Sequence, residues 1–405
     1  MLRRPQAEKI PKGPVFSSAS FGDDGAPPKS VLDAGNVQFV NRGSLAFGLA
    51  YAHMKLSSKD EILLPAYHCR AMVEPVVTSG GTPVFYKILP NLSPDFFDVG
   101  SRITSKTRAI VVPHYFGFHQ DMASIREFCE SKGVLLIEDC AHSFFGEVDG
   151  LPIGSYGDYA IGSAWKFFPI NEGACLVSSR RPLSDLPMEN QGFFADIKAF
   201  LNTIEYAGAY ERVWRFSGLT RTVIHIQGAI WGFFKKFLKQ ADSGLVNHAL
   251  PPGGTTGFDP ARIFKNRTRW AAYVMRMTNA SRIAQKRREH YALILKELSS
   301  ACGITPLFKT LPAGVVPQVV PFLVDNPKEL AYWLKEFGVP VIRFGEFLWE
   351  GMDPGFCRVS EEYSRRVFQL PCHQDLTSHE IDWMILRVSE ALNITNALRV
   401  QEKAA

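Results

Sequence analysis

Only seven of the 405 residues are cysteine (Cys69, Cys129, Cys140, Cys175, Cys302, Cys357 and Cys372), and no two of them form a CxxC pair. That odd, scattered set argues against a disulfide framework and against a cysteine-rich zinc site, and it reads as reduced thiols. No apolar run reaches the roughly eighteen residues that a membrane-spanning helix needs. Charge of one sign is also missing in excess: 45 Lys and Arg stand against 40 Asp and Glu, for a net +5. The basic residues form no stripe that would track a phosphate backbone, so nucleic acid is not an expected partner. No internal repeat is visible. The opening MLRRPQAEKIPKGP has early basic residues but no apolar stretch behind them, so no export signal is read there and a cytoplasmic location is expected.

What is present is the composition of an ordinary globular protein, 46% hydrophobic and 21% charged. From residue 43 to 179, helical segments such as 44–54 and 121–132 alternate with short apolar runs at 62–65, 83–88, 109–115, 134–139, 159–164 and 173–178. This is the pattern of an α/β fold whose largely parallel sheet is covered by helices. Gly133 stops the second helix as a C-cap would. Residues 182–262 break the alternation with aromatic helical segments and a PPGGTTG tract at 251–257, and read as a helical insertion. One long helix is expected over 267–298, followed by a compact C-terminal α/β unit. The expected division is a large domain, 1–262, and a small one, 263–405.

Within the insertion, 222–240 reads TVIHIQGAIWGFFKKFLKQ. At helical spacing Val223, Ile226, Ile230, Phe233, Phe234, Phe237 and Leu238 share one arc, and Lys235, Lys236 and Lys239 lie opposite. Two readings stay open: an arc packed on the protein or on a second subunit, and a helix lying in a membrane interface.

Chemistry concentrates at strand ends, where open α/β sheets place their ligands. Ile137-Glu138-Asp139-Cys140-Ala141-His142 closes one apolar run, and Gly162-Ser163-Ala164-Trp165-Lys166 closes the next. Apolar surroundings disfavour the charged form of a lysine, and a neutral amine is the form that attacks a carbonyl. A carboxylate nearby can hold a pyridinium proton. Together they suit pyridoxal phosphate, with Lys166 as the Schiff-base lysine and Asp139 on the ring nitrogen. A strand-end Asp can instead cap a turn, and a lone Lys can simply reach solvent. Ser163 could meet the cofactor phosphate. So could the turn Asn41-Arg42-Gly43-Ser44, which runs into a helix and offers free backbone N–H groups at Gly43 and Ser44. His114 and Tyr115, at another strand end, could line a substrate pocket or be packing residues. No metal site is expected.

These elements, in this order, resemble the DegT-type (DegT/DnrJ/StrS) sugar aminotransferases, a branch of the fold-type-I pyridoxal-phosphate enzymes. Gly43-Ser44 matches the turn that opens the phosphate-binding helix, Leu64-Pro65-Ala66-Tyr67-His68 the next strand end, and Glu138 to His142 the "ED-x-A-[QH]" segment. Lys166 with Glu172-Gly173, Arg276-Met277 and Leu370-Pro371-Cys372-His373 match further family motifs. The resemblance implies a large domain with a mostly parallel mixed sheet of about seven strands sandwiched by helices, plus a small C-terminal α/β domain. It implies that His142 contacts the ring's phenol oxygen and that Tyr67 or His68 lies near the ring face. Asn266, with Arg267, would be lent to the phosphate of a second subunit in a homodimer.

The implied activity is a transaminase carrying an amino group from an amino acid, with glutamate the expected donor, to a keto-sugar linked to a nucleotide, in polysaccharide, glycolipid or secondary-metabolite sugar biosynthesis. Three departures stand out: Ile161 replaces the serine five residues before the lysine, with Ser163 three residues back instead; Cys69 sits where the family often has a stacking aromatic; and Ala174 replaces the second glycine after the lysine. The alternatives are a sugar dehydratase of the same fold, which carries histidine in place of the lysine, and a non-catalytic regulatory or membrane-scaffold homologue.

Overall fold

Consecutive strands buried on both faces must be joined by helices, and that requirement generates the architecture. The computed structural model describes residues 9–22, 25–213 and 258–404. The large domain contains β1 (Asn36–Val40), α1 (Gly43–His53), β2 (Glu61–Pro65), α2 (Arg70–Thr78), β3 (Thr82–Tyr86), α3 (Phe96–Arg102), β4 (Thr107–Pro113), α4 (Met122–Lys132), β5 (Leu135–Cys140), the small hairpin β6 (Glu147–Val148) and β7 (Leu151–Pro152), β8 (Tyr159–Gly162), β9 (Ala174–Ser178) and α5 (Phe193–Ala209). Seven strands form one sheet in the order β1-β9-β8-β5-β4-β2-β3. The five strands from β3 to β8 are parallel, while β9 runs antiparallel to both β8 and β1. The mostly parallel mixed sheet expected from the sequence is therefore present, and each of the six apolar runs became a strand.

α4 shows how local sequence sets the boundaries. The Asp121 side chain accepts from the Ser124 N–H at 3.2 Å, and Gly133 ends the helix in the left-handed region at φ +66°. β1 carries only five residues at the sheet edge, with a single fully buried side chain, and its apolar periodicity is too short to stand out.

The helix expected over 267–298 is two helices. α6 (Arg269–Met277) ends at Thr278, whose backbone is extended, and α7 (Ala280–Leu298) starts where the Asn279 side chain accepts from the Arg282 N–H at 2.9 Å. An Asn cap thus interrupts a periodicity that continues across it. The small domain follows as an antiparallel sheet of β10 (Ile304–Pro306), β11 (Val319–Val324) and β12 (Val367–Pro371), covered by α7, α8 (Pro327–Phe337), α9 (Arg358–Arg366) and α10 (Ser378–Ala404).

Packing does not change over at residue 262. Ala271 and Val274 of α6 lie in an apolar cluster with Val31, Phe144 and Cys175 of the large domain. Only Tyr291, Ile294 and Leu298, farther along α7, join the small-domain residues, in a cluster that continues into Leu63, Ile110 and Val112 beneath the large sheet. The amphipathic stretch 222–240 lies outside the described residues. Among those described, no helix is long and apolar enough to cross a membrane.

Candidate active site

β1, β2, β4, β5 and β8 all point the same way, so their carboxyl ends share one edge of the sheet and bring five separate loops together. That edge collects Asn41 to Ser44, Tyr67 to Cys69, His114 to Phe116, Asp139 to His142 and Ser163 to Lys166.

Alternation along β5 decides which carboxylate does what. Asp139 faces the α1 side of the sheet. One of its oxygens accepts from the Ala141 N–H at 2.9 Å. Burial pushes its carboxyl above the usual range, and the nearby Lys166 ammonium pulls it back down. Lys166 ends the 3-10 turn Ala164–Lys166. Burial lowers the pKa of its amine from 10.5, opposed by Cys69 and Asp139. The two groups therefore lie within electrostatic reach of each other, at the spacing the sequence suggested.

His142 is buried, and its Nδ1 accepts from the Phe116 N–H at 3.3 Å, which assigns the ring proton to Nε2 as a donor. Burial, then the Lys166 charge, holds it well below pKa 6.5, so it is neutral at physiological pH. Phe116 itself has φ +62° and ψ 10°, an uncommon backbone for a bulky residue, and its ring stacks on His142 at 5.9 Å.

The Gly43 and Ser44 N–H groups open α1 with no backbone acceptor among the described residues, and a Cβ added at Gly43 would meet only open space. Ser163 is buried beside the lysine turn. Gly173 ties these parts together: its N–H donates to Asn41 O at 2.7 Å, and its carbonyl accepts from the Trp165 N–H at 3.3 Å. Its φ of +129° suits glycine alone. Asn266 is joined to the start of α1 through Gln191, whose amide donates to both Asn41 Oδ1 and Asn266 O.

Several expected residues sit elsewhere in the arrangement. His114 is fully buried and bonded on both ring nitrogens. Its Nδ1 accepts from the Gln120 N–H at 3.1 Å, and its Nε2 donates to Glu138 at 3.2 Å. Glu138, on the face of β5 opposite Asp139, also accepts from the Gly154 N–H at 3.2 Å and from the Gly157 N–H. Tyr115 is likewise a packing residue. Its hydroxyl donates to Tyr67 O at 2.6 Å, and its ring stacks on Tyr67 at 5.5 Å. The Tyr67 hydroxyl in turn donates to Phe344 O at 2.8 Å. His68 stacks on Phe85 at 4.8 Å, bonds to Pro65 O at 3.0 Å and accepts from the Trp349 N–H at 2.9 Å. Both 67 and 68 are walls that meet the small domain.

The member of that loop in electrostatic reach of Lys166 and Asp139 is Cys69, whose thiol burial pushes up to about 11. Tyr51 on α1 was also missed by the sequence reading. It is buried, its hydroxyl has no partner among the described residues, and its pKa is raised by burial and by Asp139.

The role given to Glu138 is testable. Glu138→Ala would strand three buried donors and should destabilise the protein by roughly 3–5 kcal/mol in denaturant unfolding. A loss under about 1 kcal/mol would show that these donors find other partners.

An amine whose charged form burial disfavours, an adjacent carboxylate, a neutral histidine donor, a phenol without a hydrogen-bond partner and a helix start without backbone acceptors among the described residues fit pyridoxal phosphate: a carbonyl, a ring nitrogen, ring oxygens and a phosphate. The seven-stranded mixed sheet and the smaller antiparallel sheet beside it have the fold of the fold-type-I pyridoxal-phosphate enzymes. Residues 30–179 match the model of the DegT/DnrJ/EryC1/StrS aminotransferase family. It is 31% identical over 172 residues to the GDP-perosamine synthase of Vibrio cholerae, covering 41% of this chain and 47% of that one. It is 34% identical over 137 residues to the dTDP-4-dehydro-2,3,6-trideoxy-D-glucose 4-aminotransferase of Saccharopolyspora spinosa, covering 34% and 35% respectively. The aligned region thus spans about half or less of these curated relatives. The crystal structure of the sugar aminotransferase CalS13 from Micromonospora echinospora shares the fold, with a TM-score of 0.61 at 16% identity over 94% of this chain and all of that one.

Proposed function

We propose that the protein is a pyridoxal-phosphate-dependent aminotransferase that moves an amino group from an amino acid, glutamate first among candidates, to a keto-sugar carried on a nucleotide. The observation that carries this reading is Lys166 and Asp139 at one edge of the sheet, each shifting the other's titration. The cofactor, when bound, supplies an aldehyde that takes up amines and a ring that withdraws electrons from the carbon undergoing proton transfer.

The chain's own residues do the rest. Lys166, whose charged form burial disfavours, would be the attachment point and afterwards the base that removes a proton and returns it. Asp139 keeps a proton on the ring nitrogen. His142 donates from Nε2, and Gly43, Ser44 and Ser163 receive the phosphate. Lys166 stands against the dehydratase reading, whose enzymes carry histidine there. The test is to convert the protein to its amine-loaded form with glutamate and then offer a panel of nucleotide-linked keto-sugars. Return of the original absorption with at least one sugar supports the reading, and no response to any amino donor opposes it.

Three finer points belong to the same proposal. The enzyme works in the cytoplasm, as a homodimer in which Asn266 and Arg267 of one subunit approach the other's phosphate. Arg267 supports this, because its Nε and Nη1 are buried with no hydrogen-bond partner among the described residues. Sedimentation at assay concentration should give a dimer, and a fully active monomer would contradict it. The segment 222–240, outside the described residues, has two candidate roles: its apolar arc packs on the protein or on a second subunit, or it contacts the inner membrane face, and liposomes separate them. In the second role the protein should pellet with anionic liposomes at low salt and be released by charge reversal of Lys235, Lys236 and Lys239; a protein that stays in the supernatant would rule the contact out.

A further inference from the structure

The turn that carries Lys166 is lightly held by its own backbone. The carbonyls of Lys166 and Phe167 accept no backbone N–H among the described residues. They are engaged instead by two side chains from far along the chain.

Arg287, on α7, is fully buried. Its Nη2 donates to Lys166 O at 2.7 Å, and its Nη1 donates to Pro317 O at 3.2 Å and Gln318 O at 3.0 Å. Its Nε donates to Gln374 Oε1 at 3.0 Å, and its guanidinium lies 4.5 Å from the centre of the Phe167 ring. Gln374, just beyond β12, closes the circuit: its Nε2 donates to Phe167 O at 2.8 Å.

No carboxylate lies within ion-pairing distance of Arg287 among the described residues, although the same loop's Asp375 pairs with Arg282. Burial pushes the Arg287 guanidinium down to about 10. A buried cation that spends its donors on carbonyls rather than on a counter-charge is costly for packing alone. Its geometry matches a fork that fixes a backbone.

We infer that Arg287 and Gln374 are positioning residues for Lys166: they clamp the 166–167 backbone between α7 and the small domain and so aim the lysine side chain at Asp139. The inference rests on reading Lys166 as the cofactor lysine. A clamp that only joined the two domains would affect stability and leave the amine's environment and the chemistry untouched.

The experiment uses the full-length protein carrying Gln374→Met, with Arg287→Lys as the second variant. In the cofactor-free form, acetylation of Lys166 by acetic anhydride is followed against pH by peptide mapping. A loosened turn exposes the amine, so its labelling midpoint should rise by about one unit toward that of an ordinary lysine. In the loaded form, kcat for amino transfer should fall roughly 10- to 100-fold, as a displacement of about 1 Å in a reacting group does, with KM for the donor within about threefold. Gln374→Glu, which keeps the acceptor for Arg287 but loses the donor to Phe167 O, should fall between. If Arg287→Lys does not fold, Gln374→Met alone decides.

A folded Gln374→Met protein with the wild-type labelling midpoint and wild-type kcat overturns the inference, whatever its melting temperature. Failure of the underlying reading shows differently. The labelling midpoint would still move, while borohydride treatment of the loaded wild type would leave Lys166 unmodified.

Discussion

Lys166→Ala should abolish amino transfer, with a loss on the order of 10⁴-fold or more, because one side chain supplies both the attachment amine and the proton carrier. The fold should persist, since the lysine side chain holds none of the bonds that shape its turn, whose carbonyls are gripped by Arg287 and Gln374. Removing the ammonium also takes away the charge that draws the Asp139 carboxyl down, so that carboxyl should rise further. The checks are single-turnover kinetics with glutamate and a circular dichroism spectrum. Residual turnover within about 100-fold of wild type would place the chemistry on another residue.

Asp139→Asn is expected to bind some cofactor and to lose roughly 10²- to 10³-fold in rate, the usual scale for removing one preorganised electrostatic partner. Its effect on Lys166 has a definite sign. Asp139 raises the lysine's pKa and burial lowers it, with burial the larger influence. An amide at 139 leaves burial less opposed, so the amine should titrate at lower pH than in the wild type. In apo Asp139→Asn the Lys166 labelling midpoint should therefore move down. An upward move, or near-wild-type turnover, would remove Asp139 from the site's electrostatics.

Much of the scaffold was legible because buried parallel strands are continuous apolar runs, and six of the seven sheet strands announced themselves that way. The exception, β1, is short and lies at the edge. The break between α6 and α7 was hidden because an Asn cap leaves the helical periodicity running across it.

Asp139 and Lys166 could be proposed as a pair from sequence, since one lies at the carboxyl end of β5, the other in the turn just beyond β8, and their residue types suit the chemistry. His114 could not be assigned the same way. Its partner Glu138 lies on the neighbouring strand, where Val112 pairs with Glu138 and Pro113 with Asp139, and only that register shows the histidine to be locked under the sheet. The partners of Tyr67 and His68 were hidden for a related reason: Phe344 and Trp349 come from a small-domain loop more than 270 residues away. Arg287 and Gln374 are 87 residues apart and carry no local signature at all.

The proposed function places the cofactor on Lys166, at the carboxyl edge of the sheet. Borohydride reduction of the cofactor-loaded protein, followed by peptide mapping, tests it most directly. The expected result is a single stable secondary amine on Lys166, formed in near-stoichiometric amount in the wild type and absent from Lys166→Ala. Label on any other lysine, or no label in a fully loaded sample, would contradict it.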